Sequence, residues 1–319
     1  MSLKTELNHD QGIKKQNRNQ KPGTWLRIQL LSSRDIQKFK ILPTLFSKLL
    51  FLPVTAMNVS WLLFMIFHYP PHEVAELFIG LSAHQIVWWL LGIAVVSLFH
   101  EFGHVSALLH CGGIPGGIGI SMHYLLPKGW SEINDTWRLS RTDCLYVDSG
   151  GVFFQMLITW VIYALNGSWL NSRAIMAVCV TSAQMVLINL IPNAGSDGYW
   201  LVKNAFGIED VSQSAKSMFR KSSDSSQSIK PNEKIIIISL LIARNIALIY
   251  LLTVVIIVFS AAAARLIQEI SSLLVEISSF SPSLACSFLS NSMSSVMVVI
   301  IVLQNVISSI CQMMYGRRT

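Results

Sequence analysis

The sequence predicts an all-α polytopic membrane protein of about six transmembrane helices, with a short re-entrant β-hairpin or loop after the second. Three observations predict it. The 319 residues are 52% hydrophobic and only 13% charged, against about 25% charged in a soluble domain. The apolar residues gather into runs long enough to cross a bilayer, which takes about 20 residues per helix. The basic residues fall on one side of those runs, as the positive-inside bias requires.

The elements follow in order. Residues 1–44 form a polar, basic arm, Asn/Gln/Lys-rich and disordered in character over 1–23. The first apolar run begins only near Leu45, so the first span itself would target the chain to the membrane. Six spans are expected at 45–67, 85–109, 145–165, 174–191, 235–260 and 284–313. Residues 45–210 make a membrane core of the first four spans, 211–234 a Ser-rich flexible loop, and 235–319 a two-span C-terminal region. Between the last two spans, Leu266, Ile267, Ile270, Leu273, Leu274 and Ile277 recur at helical spacing, which predicts an amphipathic helix in the outer interface. With the N-terminus inside, the arm through Lys48 carries ten basic residues, Lys128–Arg141 three, Lys203–Lys234 six and the C-terminal tail two. That puts 21 of 24 inside and leaves Arg173, Arg244 and Arg265.

The segment Gly112-Gly113-Ile114-Pro115-Gly116-Gly117-Ile118-Gly119-Ile120 is apolar but too rich in Gly and Pro for a helix. Non-helical backbone at membrane depth survives only where protein or a water cavity satisfies it. A re-entrant loop or β-hairpin with an exposed edge would pair with an extended peptide. Gly117 and Gly119 within it, and His123 and Tyr124 just beyond, are the candidate substrate contacts.

The second span contains His100-Glu101-Phe102-Gly103-His104, between the uncharged runs Ile86 to Phe99 and Val105 to Leu109. Ionisable residues inside a span are costly and mark function. On a helix His100 and His104 share a face and can hold one metal ion, and Glu101 can take a proton from its water. Zinc needs a third protein ligand and an open position. His110 extends the pattern toward the metzincin spacing, but Ala107 stands where metzincins have a turning Gly, and a continuing helix rotates His110 about 240° away from His104. Asp197 is the favoured candidate. It follows Pro192 and Gly195, which break the fourth span and let a carboxylate turn inward at the depth of the two imidazoles. A plain Asp-Gly turn at a helix end is the alternative.

His-Glu-Phe-Gly-His in one span, followed by Asn189-Leu190-Ile191-Pro192 and Asp197-Gly198 at the end of a later one, resembles the site-2 protease family of intramembrane zinc metalloproteases. Gly119–Trp137, Arg138–Arg141 and Asp197-Gly198-Tyr199-Trp200 are similar to the branch called peptide zinc metalloproteases. The resemblance covers about residues 85 to 210. It implies one Zn2+ per chain held by His100, His104 and Asp197, with Glu101 as general base and acid. It implies for Asn189 a hydrogen bond to substrate backbone or oxyanion, where the residue alone reads equally as an interhelical hydrogen bond. Two departures stand out. The family's Gly-Pro-x-x-Asn stretch appears only as Gly150-Gly151-Val152-Phe153-Phe154-Gln155, and a motif proline is replaced by Gly195. There is no room for a PDZ domain.

The expected activity is zinc-dependent hydrolysis of a peptide bond in a small membrane-associated peptide precursor or single-span protein. The partners would be that substrate, the lipid bilayer and co-encoded peptide-processing or export proteins. The expected location is the bacterial cytoplasmic membrane, termini inside, active site in its cytoplasmic half. Release of a membrane-tethered signalling regulator, or a non-catalytic peptide transporter or immunity protein with a structural metal, are the alternatives. No nucleic-acid role is expected, because the basic residues follow topology and form no recognition element. The five cysteines show no paired spacing and read as reduced apolar residues.

Overall fold

In a computed structural model of the chain, the described residues are 24–39, 42–123, 126–192, 196–208, 211, 214 and 231–276. Among the described residues, five helices are long and apolar enough to cross a membrane: Leu49–His68, Ala83–His110, Arg141–Leu170, Arg173–Leu190 and Glu233–Gln268. The sixth expected span, at 284–313, lies outside the described residues.

The described residues begin with strand β1 (Thr24–Leu31) and a single helical turn, α1 (Ser33–Ile36). Helix α2 (Lys48–His68) is the first span, and α3 (Pro71–Ile79) is a short amphipathic helix after it. Helix α4 (Ala83–His110) carries the histidine pair. Strands β2 (Ile118–His123) and β3 (Leu126–Ser131) form the hairpin. Helices α5 (Arg141–Leu165) and α6 (Arg173–Leu190) follow as spans, then the short α7 (Asp197–Phe206) and the long α8 (Pro231–Glu276).

The apolar core joins Trp61 and Met65 of α2, Val74 and Phe78 of α3, Trp89 and Ile93 of α4, Met156 of α5, Val178 and Val186 of α6, and Val254 and Val258 of α8. On α8, Ile235, Ile238, Ile242, Ile246, Ile249, Leu252 and Ile256 are exposed instead. Their three- and four-residue spacing makes one helical stripe, which suits lipid.

Two features go beyond the sequence expectations. The amphipathic segment, as far as Glu276, continues α8, which runs unbroken for 46 residues through Ala261–Ala264, where no Gly or Pro interrupts it. The sheet is three-stranded rather than a lone hairpin, in the order β1-β2-β3, all antiparallel. The added strand comes from the basic arm. Leu26, Ile28 and Leu30 alternate there with Arg27 and Gln29, the period of a strand.

The hairpin also starts later than the glycine-rich segment. Gly112–Gly117 leads into it, and Gly116 and Gly117 continue the ladder through Glu132 at 2.8 and 3.0 Å. Because β2 is the middle strand, both of its backbone edges are taken. Gly119 is packed so closely that a Cβ would lie 2.0 Å from the Ile28 carbonyl, and one on Gly117 would meet the Gln29 side chain at 2.7 Å. Gly119, paired on both sides, offers no free edge.

The outer edge of β3 faces α4. Pro127 has no N–H, so its pairing with Met122 is a non-hydrogen-bonded one. By alternation Gly129 also turns its N–H away from β2, and donates it to Ser97 Oγ at 2.6 Å.

Candidate metal centre

The centre lies where α4 crosses α5. Gly103 and Gly150 make the contact: a Cβ on Gly103 would stand 1.9 Å from the Gly150 carbonyl oxygen. Small residues let helix backbones approach in this way. The crossing puts Val147, Gly151 and Gln155 of α5 beside His100 and His104, both buried.

Asp197 arrives from another element. Helix α6 stops at Leu190 because Ile191 precedes Pro192 and is extended, with ψ 123°. Ser196 then caps α7, accepting from the Tyr199 N–H at 3.2 Å and donating to the Ile191 carbonyl at 2.6 Å. Gly198 sits against the end of α6, where a Cβ would lie 2.1 Å from the Leu190 carbonyl oxygen. Asp197, the first residue of α7, is thereby turned toward the imidazoles, and Asn204 farther along α7 donates to Asp148 of α5 at 2.7 Å.

Three donor atoms converge. His100 Nε2 and His104 Nε2 are 3.1 Å apart, Asp197 Oδ2 is 3.2 Å from His100 Nε2, and Asp197 Oδ1 is 3.5 Å from His104 Nε2. The opposite ring nitrogens fix the tautomers. His104 Nδ1 is 2.7 Å from the Val147 carbonyl, which can only accept, so Nδ1 carries the proton. His100 Nδ1 is 2.9 Å from Gln155 Oε1. Both Nε2 atoms therefore present lone pairs to each other and to a carboxylate. Asp197 Oδ2 is buried with no hydrogen-bond partner among the described residues, although His100 Nε2 is in contact. Lone pairs facing at that distance repel unless a cation lies among them.

Zinc fits the donor set. Tetrahedral coordination with bonds of about 2.0–2.2 Å separates ligand atoms by about 3.3–3.5 Å, close to the three distances above. Gly151 keeps the space open: a Cβ there would lie 2.4 Å from His104 Nε2 and 2.6 Å from His100 Nε2.

Glu101 points instead to the sheet, and Ser131 of β3 donates to its Oε2 at 2.5 Å. Ser97, one turn earlier, holds Gly129. The hairpin is thus fastened to α4 at two points, one of them the Glu101 carboxylate.

The other candidate residues are placed as follows. His110 ends α4 and lies against the rings of Phe46 and Tyr146, at 6.3 and 6.1 Å between centroids, not with the donor group. Asn189 is partly buried in the last turn of α6. His123 ends β2 near the hairpin tip, and Tyr124 lies outside the described residues. Cys111, which follows α4, has its thiol pushed up to about 12, by burial first and then by Asp143. It is a protonated, inert thiol at neutral pH.

Gln155, Ser131, Ser97 and Gly151 were not singled out from the sequence. The available signal for Gln155 was an amide inside an apolar span, within the 150–155 stretch that departs from the family pattern.

The donor group, the glutamate beside it and the membrane-length helices define the class: a membrane protein with a buried His-His-Asp site suited to a divalent metal. The chain is similar to the Bacillus subtilis (strain 168) protein named "Putative peptide zinc metalloprotease protein YydH", 27% identical over 132 residues, which is 39% of this chain and 52% of that protein. The matched region thus spans about half the length of that curated relative. No family model matches the chain, and no solved structure matches it.

Proposed function

We propose that this protein is an intramembrane zinc endopeptidase that cleaves a small membrane-associated peptide precursor or single-span protein in the maturation of a secreted peptide. The observation that carries the proposal is the meeting of two imidazole lone pairs and a carboxylate, with Glu101 adjacent to a ligand, inside a bundle of membrane-length helices. The name of the B. subtilis relative favours a peptide substrate over a signalling regulator.

His100, His104 and Asp197 would hold the ion, which when bound supplies a water of lowered pKa and a Lewis acid for the scissile carbonyl. The chain's own groups do the rest. Glu101 accepts the proton of the attacking water and returns it to the leaving amine nitrogen. Ser131, donating to one carboxylate oxygen, leaves the other free for that proton. The amide of Asn189, in the last turn of α6, is available to the substrate backbone. A substrate helix must unwind to expose its carbonyl, and water reaches the site from the cytoplasmic side. In this reading the protein lies in the bacterial cytoplasmic membrane with both termini inside, and works with co-encoded processing or export proteins.

The test is Glu101→Gln in the full-length protein, co-expressed with candidate precursors encoded beside it. Zinc content stays at the wild-type level, and cleavage falls by about 10²–10⁴-fold, the range for loss of a general base. Cleavage at the wild-type rate in that variant contradicts the proposal.

A further inference from the structure

We infer that Gln155 is the positioning residue that commits His100 to bind metal through Nε2, and that Ser182 and Thr159 lock it in the one orientation able to do so. The inference rests on the metal reading above and extends it to residues outside the donor set.

All three side chains are sealed from solvent: Gln155 is 1% exposed, Thr159 and Ser182 0%. Buried polar groups between spans must find partners within the protein, and here the partners can be counted. Gln155 Nε2 donates to the Ser182 carbonyl at 3.1 Å and to Ser182 Oγ at 3.2 Å. Both acceptors face the amide nitrogen, and neither would face an amide oxygen favourably. Thr159 Oγ1 lies 2.7 Å from the Gln155 carbonyl and 2.7 Å from Ser182 Oγ. A carbonyl only accepts, so the Thr159 hydroxyl donates to it. Ser182 must then donate to Thr159 Oγ1, which leaves the Ser182 lone pair for Gln155 Nε2. Each hydrogen has one place.

The consequence falls on His100. A flipped Gln155 amide would set its oxygen against the Ser182 carbonyl, acceptor to acceptor. The observed orientation turns Oε1 to His100 Nδ1 at 2.9 Å, so Nδ1 holds the proton and the Nε2 lone pair faces Asp197. A ligating imidazole whose other nitrogen donates to a fixed acceptor is oriented and more basic, and losing such a partner costs about 10–100-fold in metal affinity or activity. The two histidines differ here. His104 is held by the backbone carbonyl of Val147, which no substitution removes, whereas His100 depends on one side chain.

The experiment measures zinc affinity of detergent-purified full-length protein by competition with a chromogenic zinc chelator. Gln155→Leu removes the amide at similar volume and should weaken zinc binding about 10–100-fold. Gln155→Glu, as the neutral acid, keeps an acceptor facing Nδ1 and an O–H that donates to the Ser182 carbonyl, and should bind zinc within a few-fold of wild type. Gln155→Leu folded and binding like wild type overturns the inference. So does Gln155→Glu losing zinc as fully as Gln155→Leu, which would mean a packing role only. If Gln155→Leu does not fold, Gln155→Glu alone decides, retention supporting the inference and loss overturning it. Failure of the metal reading looks different: wild type takes up no zinc, or His104→Ala binds it as tightly as wild type, and the inference then falls with it.

Discussion

The two ends of this bundle are held together by different means. Around the motif, α4 and α5 meet through glycines, and the outer nitrogen of each histidine has a fixed acceptor, Gln155 Oε1 for His100 and the Val147 carbonyl for His104. At the other end the short α3 packs on α8, α4 and α6 through Val74, Ala75 and Phe78, and two arginines reach its C-terminus. There Arg173 donates to the Gly80 carbonyl at 3.1 Å, and Arg265 donates to the Ile79 carbonyl. A helix C-terminus leaves its last carbonyls unsatisfied and carries partial negative charge, so cations suit it. Two of the three basic residues that break the positive-inside pattern are therefore helix caps. The motif end fixes donors for chemistry, and the other end is secured by apolar packing and capping. Substitutions at the two ends should accordingly separate metal binding from stability.

The largest effect is expected from Gly151→Ala. Its methyl enters the space between the imidazoles, while alanine is itself the better helix former. The variant should fold and lose measurable zinc. The control is Gly167→Ala, where an added Cβ meets nothing within 4 Å, and zinc content should be unchanged. Zinc retained in Gly151→Ala would remove the distinction between the two ends.

Ser131→Ala comes next. It removes a hydrogen bond to a carboxylate, worth about 1.5–3 kcal/mol. Turnover of a cleaved precursor should fall by about tenfold or more, with zinc affinity unchanged. A fall in zinc affinity instead would mean that the hairpin supports the metal rather than Glu101. The smallest effect is expected from Arg173→Ala at the other end. Loss of a cation at a helix terminus costs about 0.3–1 kcal/mol. Thermal unfolding in detergent should begin slightly earlier, with zinc affinity and cleavage unaltered.

The same contrast explains what the sequence disclosed. Spans were readable because lipid demands long uncharged runs, and the histidine pair because ionisable groups are conspicuous inside one. Asp197 was readable as a candidate because Pro192 has to end a helix just before it. The third strand was hidden in the basic arm: its period of two was present at Leu26, Ile28 and Leu30, but its partner β2 lies about 90 residues away, between Ile118 and His123. Helix α3 has nine residues, too few to register as a span. Gln155 was visible as a polar residue, but its importance depends on how α5 and α6 meet, which no local pattern encodes.

The most direct test of the account is the zinc K-edge X-ray absorption spectrum of the purified full-length protein. The account predicts one tetrahedral zinc with two imidazole nitrogens and a carboxylate oxygen at about 2.0–2.2 Å, and a changed coordination shell in Asp197→Ala. A sulfur-containing shell, or a spectrum that Asp197→Ala leaves unaltered, would contradict it.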